Sequence, residues 1–334
     1  MPPKRLSAAE YTAGILAGTR TVLGRAITLV ESTLPADQAL AQEVLQTVLP
    51  HAGRSLRVGI TGVPGVGKST FIEALGRYVV ETLGKKLAVL AVDPSSQRGG
   101  GSILGDKTRM PWLSAHAAAY IRPSPAAGSL GGVARATREA LLLCEAAGHD
   151  VIFVETVGVG QSETTVHGMV DFFLLLMLAG AGDELQGLKR GIMEMADALC
   201  ITKADQGNEQ AARRARLDYQ SALHLFPPAP SGQVQPVLLT SAVNGTGVAE
   251  VWQVIEDYAA ATQQNGYFPL RRQQQQLKWL HESIVQELET QFYADGAVRN
   301  RLPAVQQAVA AGQLTPFAAA TELLRLPGGL QGPS

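Results

Sequence analysis

Apolar runs and amphipathic stretches alternate along the middle of the chain. Apolar residues recur at helical spacing between the runs, for example in Ser69–Leu83 and Gly131–Ala147. Six runs rich in aliphatic and β-branched residues predict strands at Leu56–Thr61, Leu87–Asp93, Asp150–Glu155, Phe172–Ala179, Ala198–Thr202 and Pro236–Thr240. Strands that are apolar on both faces are typical of a sheet that helices cover on both sides. The order therefore predicts an α/β fold with a doubly wound, mostly parallel sheet.

Both ends of the chain have a helical pattern. Near the amino terminus, Leu23, Ile27 and Val30 recur at helical spacing, and Pro35 begins a further helix. The carboxyl-terminal zone has a second repeat at Leu277, Leu280, Ile284 and Leu288. We therefore predict a helical extension at 1–53, the α/β domain at 54–262 and a helical arm at 263–334. Such an arm packs on its own domain or on a second copy, and we favour a homodimer contact.

Composition excludes several classes of protein. The 334 residues are 46% hydrophobic and 17% charged, with a formal net charge of −1. No overall basic field is present, so we expect neither a nucleic-acid nor a membrane partner. The longest apolar run, Phe172–Ala179, is too short for a bilayer, which needs about 20 residues. Two isolated cysteines, Cys144 and Cys200, form no disulfide framework, and no signal-peptide pattern begins the chain, so we expect a cytoplasmic protein.

A phosphate-binding loop follows the first predicted strand. Its pattern is G-x-x-x-x-G-K-[ST], and it consists of Gly62, Val63, Pro64, Gly65, Val66, Gly67, Lys68, Ser69 and Thr70. The two pattern glycines let the backbone curl so that successive N–H groups face phosphate oxygens. The helix that follows adds the positive end of its dipole. Lys68 would neutralise the β and γ phosphates, and the Ser69 hydroxyl would ligate Mg²⁺.

Three acidic residues are candidates for the metal and the reaction. Asp93 and Glu155 each end an apolar strand, where the carboxyl ends of parallel strands line the ligand crevice. Asp106 lies in a Gly-rich polar loop and could hold Mg²⁺ or orient the attacking water. Glu155 also begins an E-T-V-G segment in which the N–H of Gly158 could sense a γ-phosphate. Phosphoryl transfer needs this kind of positioning and charge neutralisation more than a strong base.

A base-reading motif of the form T-K-x-D follows a later strand. The Asp205 carboxylate could accept hydrogen bonds from N1 and from the N2 amine of guanine, which adenine does not offer. The stem of Lys203 would cover the base. Asn usually stands at the position of Thr202, so part of the local hydrogen bonding differs here. A further strand leads into Thr240-Ser241-Ala242, whose backbone could donate to guanine O6. The candidate nucleotide-binding residues here are Ser241, Ala242 and Val243. The chain is therefore predicted to bind guanine nucleotides.

The motifs together resemble a known family. The segments that carry the resemblance are Gly62–Thr70, Asp93–Ser96, Gly100–Met110, Arg122–Pro125, Gly128–Val133 and Glu155–Glu163. They closely resemble the methylmalonyl-CoA mutase-associated GTPases, which include bacterial MeaB and the human methylmalonic aciduria type A protein. The family was formerly labelled a lysine/arginine/ornithine transport kinase. The resemblance covers nearly the whole chain.

The resemblance implies a function and a partner. Family members are homodimeric GTPases that chaperone an adenosylcobalamin-dependent mutase, gate its cofactor loading and protect it from inactivation. Adenosylcobalamin is thus expected only through the partner. In the family, the segment that matches Gly180–Arg190 signals to the mutase which nucleotide is bound. The resemblance therefore makes Asp183, Gln186 and Lys189 candidate relay residues. Gly158 and Gln161 are the candidate switch residues. From the residues alone, Gly180–Arg190 is equally a solvated loop.

Two other functions remain open. A kinase for a small molecule or protein would need an acceptor pocket, a base and a preference for adenine, and Asp205 argues against that preference. A nickel-inserting GTPase would carry clusters of cysteine and histidine. Neither the two cysteines nor the six histidines have a ligand spacing.

Overall fold

A computed structural model describes residues 5–92, 110–123, 130–156, 162–179 and 190–326. The chain divides into two compact units, Met1–Gln275 and Gln276–Ser334. The division falls inside one helix, 13 residues later than the predicted start of the arm at 263 (276 against 263). The predicted division into three domains remains a prediction.

Among the described residues, a parallel sheet of seven strands forms the centre of the first unit. The strands are β1 (Leu56–Gly62), β2 (Leu87–Val92), β3 (Ala119–Arg122), β4 (Val151–Thr156), β5 (Phe172–Leu178), β6 (Ala198–Thr202) and β7 (Val237–Leu239). Their order across the sheet is β3-β2-β4-β1-β5-β6-β7, and neighbouring strands are parallel. The predicted fold class is confirmed.

Helices surround this sheet and precede it. The helices of the first unit are α1 (Ala8–Leu16), α2 (Arg20–Val30), α3 (Pro35–Val48), α4 (Lys68–Arg77), α5 (Pro111–Ala115), α6 (Leu130–Ala146), α7 (Ser162–His167), α8 (Arg190–Met195), α9 (Glu209–Leu223) and α10 (Val248–Gln264). Strands β1, β2, β4 and β5 are buried nearly throughout, as expected for a sheet with both faces covered.

The three amino-terminal helices follow the sequence pattern closely. Ser7 and Glu10 form a reciprocal capping box at the start of α1. Leu23, Ile27 and Val30 are buried on one face of α2, as their spacing predicts. Pro35 is the first residue of α3, where its missing N–H costs nothing.

The edge strand β3 was not predicted from the sequence. It has only four residues, and it pairs with β2 from Leu87–Ala119 to Leu90–Arg122. A strand this short carries too few apolar residues for a distinct run. The predicted helix Ser69–Leu83 is also divided: α4 ends at Arg77, and a π-helical turn covers Tyr78–Thr82. The other six strands agree with prediction within one residue at each end within the described part of the chain.

The remaining helices are α11 (Tyr267–Ala294), α12 (Gly296–Ala310) and α13 (Pro316–Leu324). In the second unit, Val305, Ala319 and Leu323 form a small buried core between α12 and α13. Asp295 caps α12 by accepting from the amides of Ala297 and Val298. None of the helices in the described ranges is long and apolar enough to span a bilayer.

Candidate functional site

The predicted site residues that the structure describes come from the carboxyl ends of neighbouring strands. β1 runs into the phosphate loop at Gly62, β4 ends just after Glu155, and β6 ends at Thr202. β4, β1, β5 and β6 are consecutive in the sheet. Since all are parallel, these ends meet at one edge, which is where open α/β sheets bind ligands.

Glycine is required in the phosphate loop for two different reasons. At Gly62, a Cβ atom would lie 2.6 Å from the carbonyl oxygen of Leu176, so only glycine fits between β1 and β5. Gly65 and Gly67 have φ angles of 77° and 90°, which side chains rarely adopt. Between them, the Val66 side chain is fully buried and fixes the loop to the core.

Lys68 lies at the first position of α4 and points back across the loop. Its Nζ donates to the carbonyl oxygen of Gly62 at 2.8 Å. Burial lowers the pKa of Lys68, and the negative charges of Glu155 and Glu163 oppose that shift. The Lys68 ammonium therefore lies in the loop, where the charges of two carboxylates, Glu155 and Glu163, act on it.

Ser69 and Glu155 place a hydroxyl beside a carboxylate. The Ser69 hydroxyl donates to Glu155 Oε1 at 3.2 Å. Glu155 is 3% exposed, at the penultimate position of β4. The next residue, Thr156, shares a 2.8 Å hydrogen bond with Thr61 of β1, which holds the two strand ends together. A hydroxyl beside a carboxylate is the hard oxygen chemistry that suits Mg²⁺.

A cleft of about 420 Å³ opens beside the phosphate loop, a size typical of small-molecule sites. Its lining contains Val66, Gly67, Thr70, Phe71, Thr202, Lys203, Asp205, Gln206, Asn208, Ala242 and Val243. Two hydrogen bonds join the base motif to the phosphate loop. Thr202 Oγ1 donates to the carbonyl oxygen of Val66 at 2.7 Å, and Lys203 Nζ donates to that of Gly65 at 2.8 Å.

Asp205 is held by the segment that follows β7. The Ser241 hydroxyl donates a hydrogen bond to Asp205 Oδ2. The amide of Ser241 donates to the carbonyl of Thr246 at 2.9 Å, so this N–H is engaged within its own turn. Ser241 thus contacts Asp205 through its side chain. The donation from the backbone of this segment to guanine O6 remains a prediction.

Several predicted residues lie outside the described residues: Asp93, Asp106, Gly158, Gln161, Asp183, Gln186 and Lys189. Of the four predicted metal ligands, the structure therefore brings together Ser69 and Glu155. Within the described ranges, no group of three or more His, Cys, Asp or Glu residues could hold a metal ion. Cys144 and Cys200 are both buried and unpaired by disulfide.

Sequence reasoning missed four residues near the site. Phe71, Gln206 and Asn208 line the cleft, and the charge of Glu163 acts on Lys68. Phe71 lies two positions beyond the phosphate-loop pattern, and Gln206 and Asn208 follow the T-K-x-D pattern within three residues. If each motif had been extended by three residues, these three would have been found. Residues that directly follow a binding loop in sequence often line the same cavity.

The fold and the loop geometry define the class of protein. A parallel sheet, a G-x-x-x-x-G-K-S loop between β1 and α4, and a T-K-x-D segment after β6 are the combination found in P-loop GTPases.

Within that class, the chain belongs to the MeaB family of methylmalonyl-CoA mutase-associated GTPases, whose model matches residues 23–297. The family match confirms the resemblance seen in the sequence motifs. It also establishes GTPase activity as the enzymatic class of this chain.

Curated relatives and a solved structure agree with this family. A probable GTPase of Mycobacterium tuberculosis is 50% identical over 309 residues, 92% of each chain. GTPase ArgK of Escherichia coli is 47% identical over 287 residues, 86% of each. The mitochondrial methylmalonic aciduria type A homolog of Mus musculus is 46% identical over 325 residues, 94% of this chain and 78% of that one. A crystal structure described as LAO/AO transport system kinase has 39% identity and a TM-score of 0.74, covering 95% of this chain and 96% of its own.

Proposed function

We propose that this GTPase binds guanine nucleotides with Mg²⁺ and chaperones an adenosylcobalamin-dependent acyl-CoA mutase, gating its cofactor loading and protecting it from inactivation. The observation that carries the nucleotide part is one continuous cleft. It begins at the phosphate loop, and Asp205 contributes to its lining. The partner is proposed from the family description and from the mouse relative's name.

The phosphate loop would hold the triphosphate. Backbone N–H groups at the start of α4 and the Lys68 ammonium supply positive charge where the β and γ phosphates would lie. Lys68 Nζ, now on the Gly62 carbonyl at 2.8 Å, would exchange that neutral acceptor for a charged one. Charge-assisted hydrogen bonds are roughly twice as strong as neutral ones, which favours the exchange.

Ser69 and Glu155 would hold Mg²⁺ directly or through water, together with Asp93 and Asp106. When bound, Mg²⁺ supplies charge neutralisation to the β and γ phosphate oxygens. Glu155 and Lys68 would keep the reacting phosphate oriented at the strand ends. Asp106 is the proposed residue that orients the attacking water.

Asp205 would determine the selectivity for guanine over adenine. Its carboxylate accepts the N1 and N2 hydrogens of guanine, and the Ser241 hydroxyl fixes the carboxylate by donating to Oδ2. The Lys203 stem crosses to the phosphate loop through its bond to Gly65, which would put it over the base. A site built to donate or accept specific hydrogen bonds rejects a base that leaves them unpaired.

The segments that follow β4 and β5 would change conformation when GTP is hydrolysed. Gly158 and Gln161 follow Glu155 directly, so loss of the γ-phosphate would release them. Asp183, Gln186 and Lys189, after β5, are the proposed relay to the mutase. The family's association with a mutase supports this assignment.

We also propose a cytoplasmic homodimer. On α11, Leu277 and Leu280 are 62% and 59% exposed within their unit, although both belong to an apolar helical repeat. A second copy would cover this face, since large exposed apolar patches mark interaction sites.

Nucleotide turnover and partner capture test the proposal. Lys68→Ala should reduce GTP turnover about 100-fold or more, whereas exposed Lys278→Ala should leave it unchanged. Asp205→Asn should shift preference from GTP to xanthosine triphosphate, which has a carbonyl at position 2. ATP turnover equal to GTP turnover would favour a kinase instead.

The chaperone part has its own experiment. The full chain, loaded with GDP or a non-hydrolysable GTP analogue, is passed over an immobilised adenosylcobalamin-dependent methylmalonyl-CoA mutase. Retention should depend on the nucleotide. No retention in any nucleotide state would refute the chaperone function while leaving the GTPase assignment intact.

A further inference from the structure

The segment Lys203–Asn208 has an unusual backbone. Lys203, Gln206 and Gly207 have φ angles of 56°, 51° and 89°. In the described residues, Lys203 and Gln206 are the non-glycine residues with positive φ. Such conformations are sparsely populated and persist when neighbouring contacts hold them. The segment that carries Asp205 therefore needs a contact that fixes its shape.

Asn208 supplies that contact. Its side-chain Nδ2 donates to the carbonyl oxygen of Lys203 at 2.9 Å, and its backbone N–H donates to the carbonyl of Asp205 at 2.9 Å. The two bonds close the segment into a ring whose ends are Lys203 and Asn208. Asp205 lies inside that ring. Lys203 and Gln206, which line the cleft together with Asp205, are the two non-glycine residues with left-handed backbone.

Helix capping does not explain the choice of asparagine here. Asn208 occupies the position before α9, where asparagine normally accepts a hydrogen bond from a helix amide. No such side-chain cap bond is present at Asn208. Its amide turns back to Lys203 instead, and Asn208 contributes to the lining of the cleft.

We propose that Asn208 is a positioning residue that sets guanine selectivity, by fixing the segment that aims the Asp205 carboxylate and the Lys203 stem at the base. This inference rests on the base cleft assigned under the proposed function. Asn208 acts through Asp205 and Lys203, with which it forms the two hydrogen bonds.

The consequence for selectivity follows from the two bonds that Asp205 would make. Guanine offers hydrogens at N1 and N2, whereas hypoxanthine offers only the one at N1. Both bonds form together only when the carboxylate is held in the plane of the base. A loosened segment would lose the advantage of the second bond, so the preference for GDP over IDP should fall.

The test compares full-length wild-type protein with Asn208→Ala and Asn208→Ser. Serine keeps the ability to cap α9 but is too short to reach the Lys203 carbonyl. Gln210→Ala, an exposed substitution on the first turn of α9 outside the cleft lining, is the matched control. Dissociation constants for GDP, IDP and ADP are measured by competition on one preparation, so an inactive fraction does not alter their ratio.

We expect both Asn208 variants to lower the ratio of GDP to IDP affinity at least fivefold, to raise KM for GTP, and to leave kcat within twofold. The control should match wild type. Equal weakening of GDP and IDP, or an unchanged ratio in both variants, would overturn the proposal. If wild type itself fails to prefer GDP over ADP, the base-cleft assignment fails and this inference with it. If wild type prefers GDP and the variants keep the ratio, only the role of Asn208 is refuted.

Discussion

The Thr202 hydroxyl donates to the carbonyl oxygen of Val66 across 2.7 Å, although the two residues are 136 positions apart in the chain. A second contact of the same hydroxyl reaches the Met177 carbonyl at 3.3 Å. The end of β6 is thereby fixed to the phosphate loop. Threonine stands here where the usual motif has asparagine, and the loop carbonyl is satisfied all the same.

Thr202→Val should weaken guanine-nucleotide binding and destabilise the fold. Valine keeps the shape of threonine but leaves the buried Val66 carbonyl without this donor, at a cost of about 1–3 kcal/mol. Urea denaturation and GDP titration measure the two effects. The control is Thr262→Val: Thr262 is fully buried and donates to the Tyr258 carbonyl at 2.7 Å, outside the site. It should lower stability without changing GDP affinity, and an equal loss of GDP affinity in both variants would contradict the prediction.

Gly62→Ala should destabilise the protein and abolish tight nucleotide binding. A Cβ at this position would lie 2.6 Å from the Leu176 carbonyl oxygen, so β1 and β5 would have to separate. Overpacking of this kind costs about 1–3 kcal/mol. Gly296→Ala is the matched control, since a Cβ there would meet nothing within 4 Å and the φ of Gly296 is not left-handed. Thermal unfolding should show the larger loss for Gly62→Ala, and only that variant should lose GDP binding.

Much of this architecture follows from the sequence because the strands are buried on both faces. Continuous apolar runs such as Phe172–Leu178 contain no polar residue that would place them at the surface. Their bounds were predicted to within one residue. The edge strand β3 escaped prediction because Ala119–Arg122 is only four residues long and pairs on one side only, with β2. The formation of β3 depends on tertiary contacts, which cannot be inferred from the local sequence pattern.

The site could be predicted where one short motif contains both the residues that shape the backbone and the residues that contact the ligand. The phosphate loop is of this kind, because Gly62 and Lys68 belong to one short segment. The bond between Thr202 and Val66 was not predictable, since the two residues meet only when β6 is in place. The role of Asn208 was hidden for a further reason: an asparagine before a helix is expected to be a cap.

Removing one partner of the buried pair Arg57–Glu145 should be strongly destabilising. Both N–H groups of the Arg57 fork donate to Glu145, at 2.8 and 2.9 Å, and Glu145 also accepts from the Gly53 amide at 2.7 Å. Glu145→Gln removes the carboxylate charge that faces the buried guanidinium of Arg57, and breaking a buried pair in this way costs about 3–5 kcal/mol.

Urea denaturation measures this loss. Lys278→Gln is the control, because its pair with Glu282 is exposed and spans 3.8 Å. The control should give no measurable change, since exposed pairs contribute little. A loss for Glu145→Gln as small as that of the control would refute a structural role for the buried pair.

His149 should make the fold less stable in mild acid. Burial lowers its pKa, and the nearby charges of Lys86 and Arg20 act in the same direction, against Asp150 and the Cys144 carbonyl. As pH falls through the ordinary value of 6.5, the unfolded chain takes up a proton that the folded chain refuses. Stability therefore falls with pH until the folded pKa is reached, with a slope of at most about 1.4 kcal/mol per pH unit from this group.

His149→Asn should remove that part of the slope between pH 7.5 and 5.5 in urea denaturation. His281→Asn, an exposed histidine of α11, should keep the wild-type slope. Identical slopes in all three proteins would show that His149 does not contribute.

Charge placed on the exposed face of α11 should prevent the proposed homodimer. Leu280 and Ile284 are successive members of the apolar repeat, 59% and 49% exposed within their unit. In a dimer with two-fold symmetry the same patch meets its own copy, so one substitution is introduced twice into the interface. Leu280→Glu and Ile284→Glu should each give monomers in light scattering at concentrations where wild type is dimeric, with GTP binding retained. Leu217→Glu, an equally exposed leucine on α9, should remain dimeric because it lies on another element. If wild type is monomeric, or if both α11 variants stay dimeric, this face is not the dimer contact.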